Sequence, residues 1–245
     1  METVKRIIRS DRSLVLAADV RTFNELKSLA QSMADIAGIG AFKLGFALGL
    51  QGLAEAVKIV KGEMGTDFPV IYDHQKAPTD IPATGKIFAD VVRSAGVDAT
   101  ILFPLAGPAT QEAWTRECQF ADLEILVGGI MTHPEFLVSE GGYIADEAVM
   151  EIYDLACDQG VSNFVVPGTK LDWVKRIREL LVQKLGEGKF ALYAPGFITQ
   201  AGDISECGKE AGNFWHAIVG SPIYDEATVE GRRRVATALT AQINP

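Results

Sequence analysis

Eight short, almost wholly apolar runs recur along the chain, each followed by a polar or glycine-containing turn. No other feature restricts the possible folds as much. The runs cover residues 14–18, 41–45, 68–72, 99–103, 125–128, 163–166, 191–194 and 216–219. Continuous rather than alternating hydrophobicity is the pattern of parallel strands buried on both faces. Helical stripes fill the gaps. Phe23, Leu26, Ala30 and Met33 make one, Ala148, Ile152, Leu155 and Ala156 a second, and Val174, Ile177, Leu181 and Leu185 a third. Eight βα units in 245 residues predict an α/β fold of the (β/α)8 TIM-barrel type. The rival, a doubly wound open sheet, usually has fewer strands and a topological switch. No Pro/Ser-rich or low-complexity segment divides the chain, so one domain over residues 1–245 is expected.

Charge and cysteine usage narrow the function. The formal net charge is −9 and no basic tract is present, which argues against nucleic acid as a partner but leaves room for a small anionic substrate. Cys118, Cys157 and Cys207 are far apart and form no CxxC, so a reducing, cytoplasmic setting is expected. The three histidines make no metal-binding motif. The stretch from Met1 to Ser13 is charged throughout and does not read as a signal peptide. No run of about 18 apolar residues predicts a membrane span.

In a βα barrel the C-terminal ends of the strands converge on one mouth, where active sites lie. Those ends carry Asp19 after the first strand, Lys43 inside the second, and Asp73, Lys76 and Asp80 after the third. Thr132 follows the fifth, Pro195, Gly196 and Gln200 the seventh, and Gly220 and Ser221 the eighth. A lysine in a run as apolar as Ala-Phe-Lys43-Leu-Gly-Phe is expected to meet a carboxylate inside the mouth, because an unpaired buried charge is costly. The cluster of Asp73, Lys76 and Asp80 admits a structural ion-pair network, a metal site or proton-transfer chemistry. Nearby carboxylates would keep Lys76 protonated and able to deliver a proton to a carbanion. Glycines after strands seven and eight let backbone amides approach an anion, and barrels commonly bind phosphate there. The irregular stretch 132–144 reads equally as an active-site loop or a surface loop. His74 and His133 read as hydrogen-bonded loop residues, His216 as a packed strand residue, and Trp114, Trp173 and Trp215 as packing.

Together these motifs resemble the orotidine 5′-phosphate decarboxylase family, particularly its archaeal form, from the first strand to the eighth. Leu-Ala-Ala-Asp19-Val and Phe-Lys43-Leu-Gly resemble the family's first two strands. Residues 73–84 resemble its Asp-x-Lys-x-x-Asp-Ile-Pro-x-Thr motif, and Ile-Met-Thr132-His-Pro its base-contacting segment. Val-Val-Pro-Gly-Thr-Lys resembles the segment after strand six, and Pro195-Gly196 through Gln200-Ala-Gly-Asp the phosphate loop. Two departures stand out. His74 and Gln75 separate Asp73 from Lys76, and Ala77, Pro78 and Thr79 separate Lys76 from Asp80, one residue more than the family in each gap. A bulge at the strand end is one way to restore the geometry. The family's phosphate-gripping arginine is replaced by Ser221. Backbone amides, the Ser221 hydroxyl and Gln200, or an arginine from elsewhere, would then hold the anion.

The resemblance implies decarboxylation of orotidine 5′-monophosphate to uridine 5′-monophosphate with no metal or cofactor. It assigns Lys76 as proton donor, Asp73, Lys43 and Asp80 as its charge array, and Asp19 as a ribose contact. It places Ile81, Thr84, Thr132, Pro195, Gly196, Gln200, Gly220 and Ser221 around the substrate. It also implies a homodimer in which Asp80 completes the neighbouring site. Three alternatives stay open: a magnesium-dependent sugar-phosphate aldolase or decarboxylase on the same barrel, a nucleotide-binding homologue without catalysis, and a barrel whose charge network is structural and takes no ligand.

Overall fold

The computed structural model describes residues 6–74, 79–197 and 203–243. Eight parallel strands close into a barrel in sequential order. They are β1 (Arg12–Ala18), β2 (Ile39–Gly45), β3 (Val70–Asp73), β4 (Ala99–Leu102), β5 (Glu124–Gly128), β6 (Asn163–Val165), β7 (Ala191–Ala194) and β8 (Trp215–Val219). Each strand pairs with the next, and β8 returns to β1, where Leu14 lies opposite Ala217. The intervening helices are α1 (Phe23–Met33), α2 (Phe46–Met64), α3 (Gly85–Ser94), α4 (Pro108–Phe120), α5 (Asp146–Asp158), α6 (Leu171–Leu185) and α7 (Ile204–Ala211). A short turn, α8 (Ser221–Tyr224), and a longer helix, α9 (Val229–Ile243), follow β8.

Both faces of the sheet are buried, and strand periodicity of two sorts the residues between them. Leu14, Leu16, Phe42, Leu44, Val70 and Tyr72 face the helices. Val15, Ala17, Ala41, Ile71, Ala99, Ile101, Leu126 and Ile218 fill the barrel interior. The inward parity of 15, 17, then 41, then 71 carries forward to Asp19, Lys43 and Asp73. Strand register adds to this by pairing Ala17 with Lys43 and Lys43 with Ile71.

The barrel floor is closed by the chain's own N-terminal segment. Ile7 and Ile8 are buried with the interior residues, and the Arg6 guanidinium lies 3.8 Å from the centre of the Phe214 ring. Just above, Ser13 Oγ lies 2.8 Å from His216 Nδ1, and Tyr193 stacks against His216 at 4.7 Å. His216 is thus packed and hydrogen-bonded, as the sequence suggests. Arg12 donates to the carbonyls of Gly208, Gly212 and Ile243, tying β1 to α7 and α9.

Helix ends follow local chemistry. Thr22 and Glu25 form a reciprocal capping box that starts α1 immediately after Asp19. Gly65, Gly186 and Gly212 end α2, α6 and α7 at positive φ. In α5 the buried face is Val149, Ile152, Tyr153, Ala156 and Cys157. The apolar stripe read from the sequence is turned by about one residue, because Tyr153 and Cys157 pack inward while Ala148 and Leu155 are half-buried.

Candidate active site

A cavity of about 290 Å³ opens at the C-terminal mouth of the barrel. Its charged wall is made by Asp19, Lys43 and Asp73, which the parity of β1, β2 and β3 brings together. Lys43 is only 5% exposed, and its Nζ lies 3.1 Å from Asp73 Oδ2 and 3.4 Å from Asp19 Oδ1. Burial alone would push the ammonium pKa down. Asp73, and then Asp19, outweigh it, so the Lys43 pKa rises above its usual value. Lys43 therefore stays cationic through the ordinary pH range.

The rest of the lining divides into an apolar floor and a polar rim. Ile101, Phe103, Val165 and Ile218 line the floor, Ile130, Met131 and Phe197 add apolar surface, and Thr132, Ser221 and Tyr224 bring hydroxyls. Gly196 has φ +104°, a conformation that a side chain would strain. At Gly220 a Cβ would sit 2.9 Å from the Ala17 carbonyl oxygen, so only glycine lets β8 turn this close to β1. Among the described lining residues Lys43 is the single lysine or arginine. Tyr224 has its pKa raised by burial first and by Asp19 second, so its phenol remains protonated at neutral pH.

One loop, between β6 and α6, fixes the neighbouring walls. Gly168 N–H donates to the Pro195 carbonyl at 3.0 Å, and Thr169 Oγ1 donates to the Thr132 carbonyl at 3.1 Å. Lys170 pairs with Glu140, whose carboxylate also accepts the Phe136 N–H. The stretch 132–144 is accordingly built rather than irregular. A 3-10 turn, Val138–Glu140, and a bridge from Leu137 to Ile144 give it internal structure.

Of the residues singled out from sequence, Asp19, Lys43, Asp73, Thr132, Pro195, Gly196, Gly220 and Ser221 all line this cavity. Lys76 and Gln200 lie outside the described residues. Asp80, Ile81 and Thr84 do not line it. Asp80 is exposed, and its Oδ1 accepts the Ile81 N–H at 2.7 Å. Sequence reasoning missed Phe103, Met131, Phe197 and Tyr224. Phe103 shares inward parity with Ala99 and Ile101, and Met131 adjoins Thr132, so both were within reach of the pattern. Among the described residues no group of three or more His, Cys, Asp and Glu is placed to hold a metal ion. No described helix is long and apolar enough to cross a membrane.

Fold and site define a parallel (β/α)8-barrel protein with a carboxylate–lysine–carboxylate array at the mouth. The orotidine 5′-phosphate decarboxylase / HUMPS family model matches residues 12–234, and the chain belongs to that family. An orotidine 5′-phosphate decarboxylase of Methanosarcina acetivorans is 30% identical over 232 residues, covering 94% of this chain and 96% of the relative. One of Methanococcoides burtonii is 28% identical, covering 92% and 96%. The crystal structure of the Methanocaldococcus jannaschii orotidine 5′-monophosphate decarboxylase in complex with an inhibitor superposes with a TM-score of 0.80. It is 22% identical and covers 96% of this chain and 99% of that one, a likeness that speaks for the fold.

Proposed function

We propose that this chain is an orotidine 5′-monophosphate decarboxylase, converting its substrate to uridine 5′-monophosphate and CO2 without metal or cofactor. The observation that carries the reading is Lys43 held between Asp19 and Asp73 at the mouth of a family-matched barrel. Breaking the bond from C6 of the pyrimidine to the carboxylate leaves an electron pair on C6. No adjacent carbonyl delocalises it, so fixed charges must stabilise it. In this reading the Lys76 ammonium does so and then transfers its proton to C6. Asp73 lies by the departing carboxylate and Lys43 holds Asp73 in place. Asp19 takes the ribose and Thr132 the base. Pro195, Gly196, Gln200, Gly220 and Ser221 surround the phosphate, whose remote binding contributes to transition-state stabilisation.

The same reading makes residues 1–245 one catalytic domain and the active species a cytoplasmic homodimer. Asp80, with Ile81 and Thr84, would complete the partner's site. Two observations support this. Asp80 is absent from the lining of its own cavity, and Ile81 beside it is 60% exposed, as are the α3 residues Ile87 (67%) and Val91 (61%). Three free, buried cysteines suit a reducing compartment.

The test is a spectrophotometric assay of orotidine 5′-monophosphate consumption with and without excess chelator. Activity should persist in chelator, and Lys76→Ala should fold normally while losing about 10²–10⁴-fold in turnover. Activity lost in chelator and restored by magnesium would instead place the chain with the sugar-phosphate enzymes. Binding of uridine 5′-monophosphate without any turnover would make it a nucleotide-binding homologue.

A further inference from the structure

The connection from β3 to α3 carries Asp80 and Ile81 just ahead of a 3-10 turn, Pro82–Thr84, and helix α4 holds both by the main chain. Thr110 Oγ1 donates to the Asp80 carbonyl at 2.9 Å. One helical turn on, Trp114 Nε1 donates to the Ile81 carbonyl at 3.1 Å. The two donors are four residues apart on one face of α4 and are 4% and 5% exposed. The peptide plane between Asp80 and Ile81 is thereby gripped from two sides. Its carbonyl accepts from Thr110, and its N–H is bonded by the Asp80 carboxylate itself.

An aromatic chain extends the grip back to the strand. The Trp114 ring lies 4.8 Å from Phe88 of α3, Phe88 meets His74 edge-on at 6.0 Å, and His74 meets Tyr72 of β3 at 5.5 Å. At Gly85 a Cβ would stand 2.8 Å from Trp114 Cδ1, so the first residue of α3 is cut back to admit the indole. None of these rings lines the cavity. Fixing the peptide that follows Asp80, together with the bond from the Ile81 N–H to the Asp80 carboxylate, restricts the directions in which that side chain leaves the backbone.

We infer that Thr110 and Trp114 are positioning residues for the reaction, holding the main chain at Asp80 and Ile81 so that the Asp80 carboxylate is presented in one orientation. The inference rests on the decarboxylase reading for the role of Asp80. Catalytic groups misplaced by small distances lose rate far more than binding, so the effect should fall on turnover. Trp114→Phe keeps a ring against Phe88 and removes only the N–H, and Thr110→Val removes the hydroxyl at similar volume.

The experiment combines kinetics with hydrogen exchange on the full-length protein. Each variant should lower kcat about 2–10-fold with KM little changed, the scale of one neutral hydrogen bond. Thr110→Ser should restore the parental kcat. On an Asp80→Asn background, Trp114→Phe should cost nothing further in residual turnover, because the group it positions is already gone. Independently of turnover, amide exchange in the peptide covering residues 79–84 should quicken in Trp114→Phe while α6 is unchanged. Parental kcat in both single variants, a full multiplicative loss on the Asp80→Asn background, or unaltered exchange in residues 79–84 would each overturn the inference. A parent protein that does not consume orotidine 5′-monophosphate overturns the decarboxylase reading instead. In that case the exchange result still decides whether α4 holds this connection.

Discussion

His216 is a titratable residue whose surroundings oppose its protonation. Burial first, and the charge of Arg6 second, lower its pKa from 6.5 to about 3. Between those values the unfolded chain binds a proton that the native chain refuses, so stability falls as the pH drops from about 6.5 towards 3. The slope contributed by one such group is at most about 1.4 kcal/mol per pH unit. In urea unfolding at pH 7, 5.5 and 4, His216→Gln should lose stability with acid less steeply than the parent. Parallel pH dependences would show that the His216 charge has no part in acid sensitivity. At this scale the sequence was informative wherever strand parity reached. Lys43 could be placed inside the mouth because an isolated lysine in an apolar strand has few other places to go. Tyr224 and Phe197 could not, since their directions depend on a short helical turn and a loop set by distant parts of the chain. Asp80 was visible as a charge, and only the family resemblance directed it away from its own cavity, because local sequence does not say which way a connection leaves a strand.

Elements were legible by type and approximate extent more than by contact. The strand read over 68–72 is Val70–Asp73, moved along by two residues at its start and one at its end. The α5 stripe was turned because hydrophobicity alone undervalues Tyr153, whose hydroxyl donates to the Val165 carbonyl and accepts from Gly129 N–H. The β6–α6 loop was recognised as a motif, but its work as a tie between two other loops is tertiary and left no local signal. That tie gives a prediction. A Cβ at Gly168 would sit 2.7 Å from both the Pro195 carbonyl oxygen and the Phe197 ring. The ring can swing aside, whereas the carbonyl belongs to backbone. Gly168→Ala should therefore move the wall formed by Pro195, Gly196 and Phe197, weaken uridine 5′-monophosphate binding several-fold, and destabilise the protein by roughly 1–3 kcal/mol. Nucleotide titration and a denaturant melt on the same sample check it. Parental affinity alongside lowered stability would mean that the strain is absorbed away from the cavity.

For the whole molecule, eight βα units were enough to predict the barrel, because parallel strands buried on both faces have few other arrangements of that size. Closure was harder to foresee in detail. The seam joins the first strand to the last, and it is reinforced from below by Ser13 on His216 and by Arg12 on carbonyls at 208, 212 and 243. That seam puts a timetable on synthesis. β1 is the first of the eight strands to leave the ribosome, and its partner β8 follows only after about 200 more residues, roughly 10–40 s of translation at ordinary elongation rates. Throughout that interval one edge of β1 has backbone donors and acceptors with no strand to meet, the kind of edge on which chains aggregate. A nascent chain stalled before Trp215 should be cut by protease within β1, and the released full-length chain should resist at the same bonds. Equal resistance in both would mean that the first strand is sheltered before its last neighbour exists. Otherwise, every newly made molecule depends on its eighth strand to protect its first.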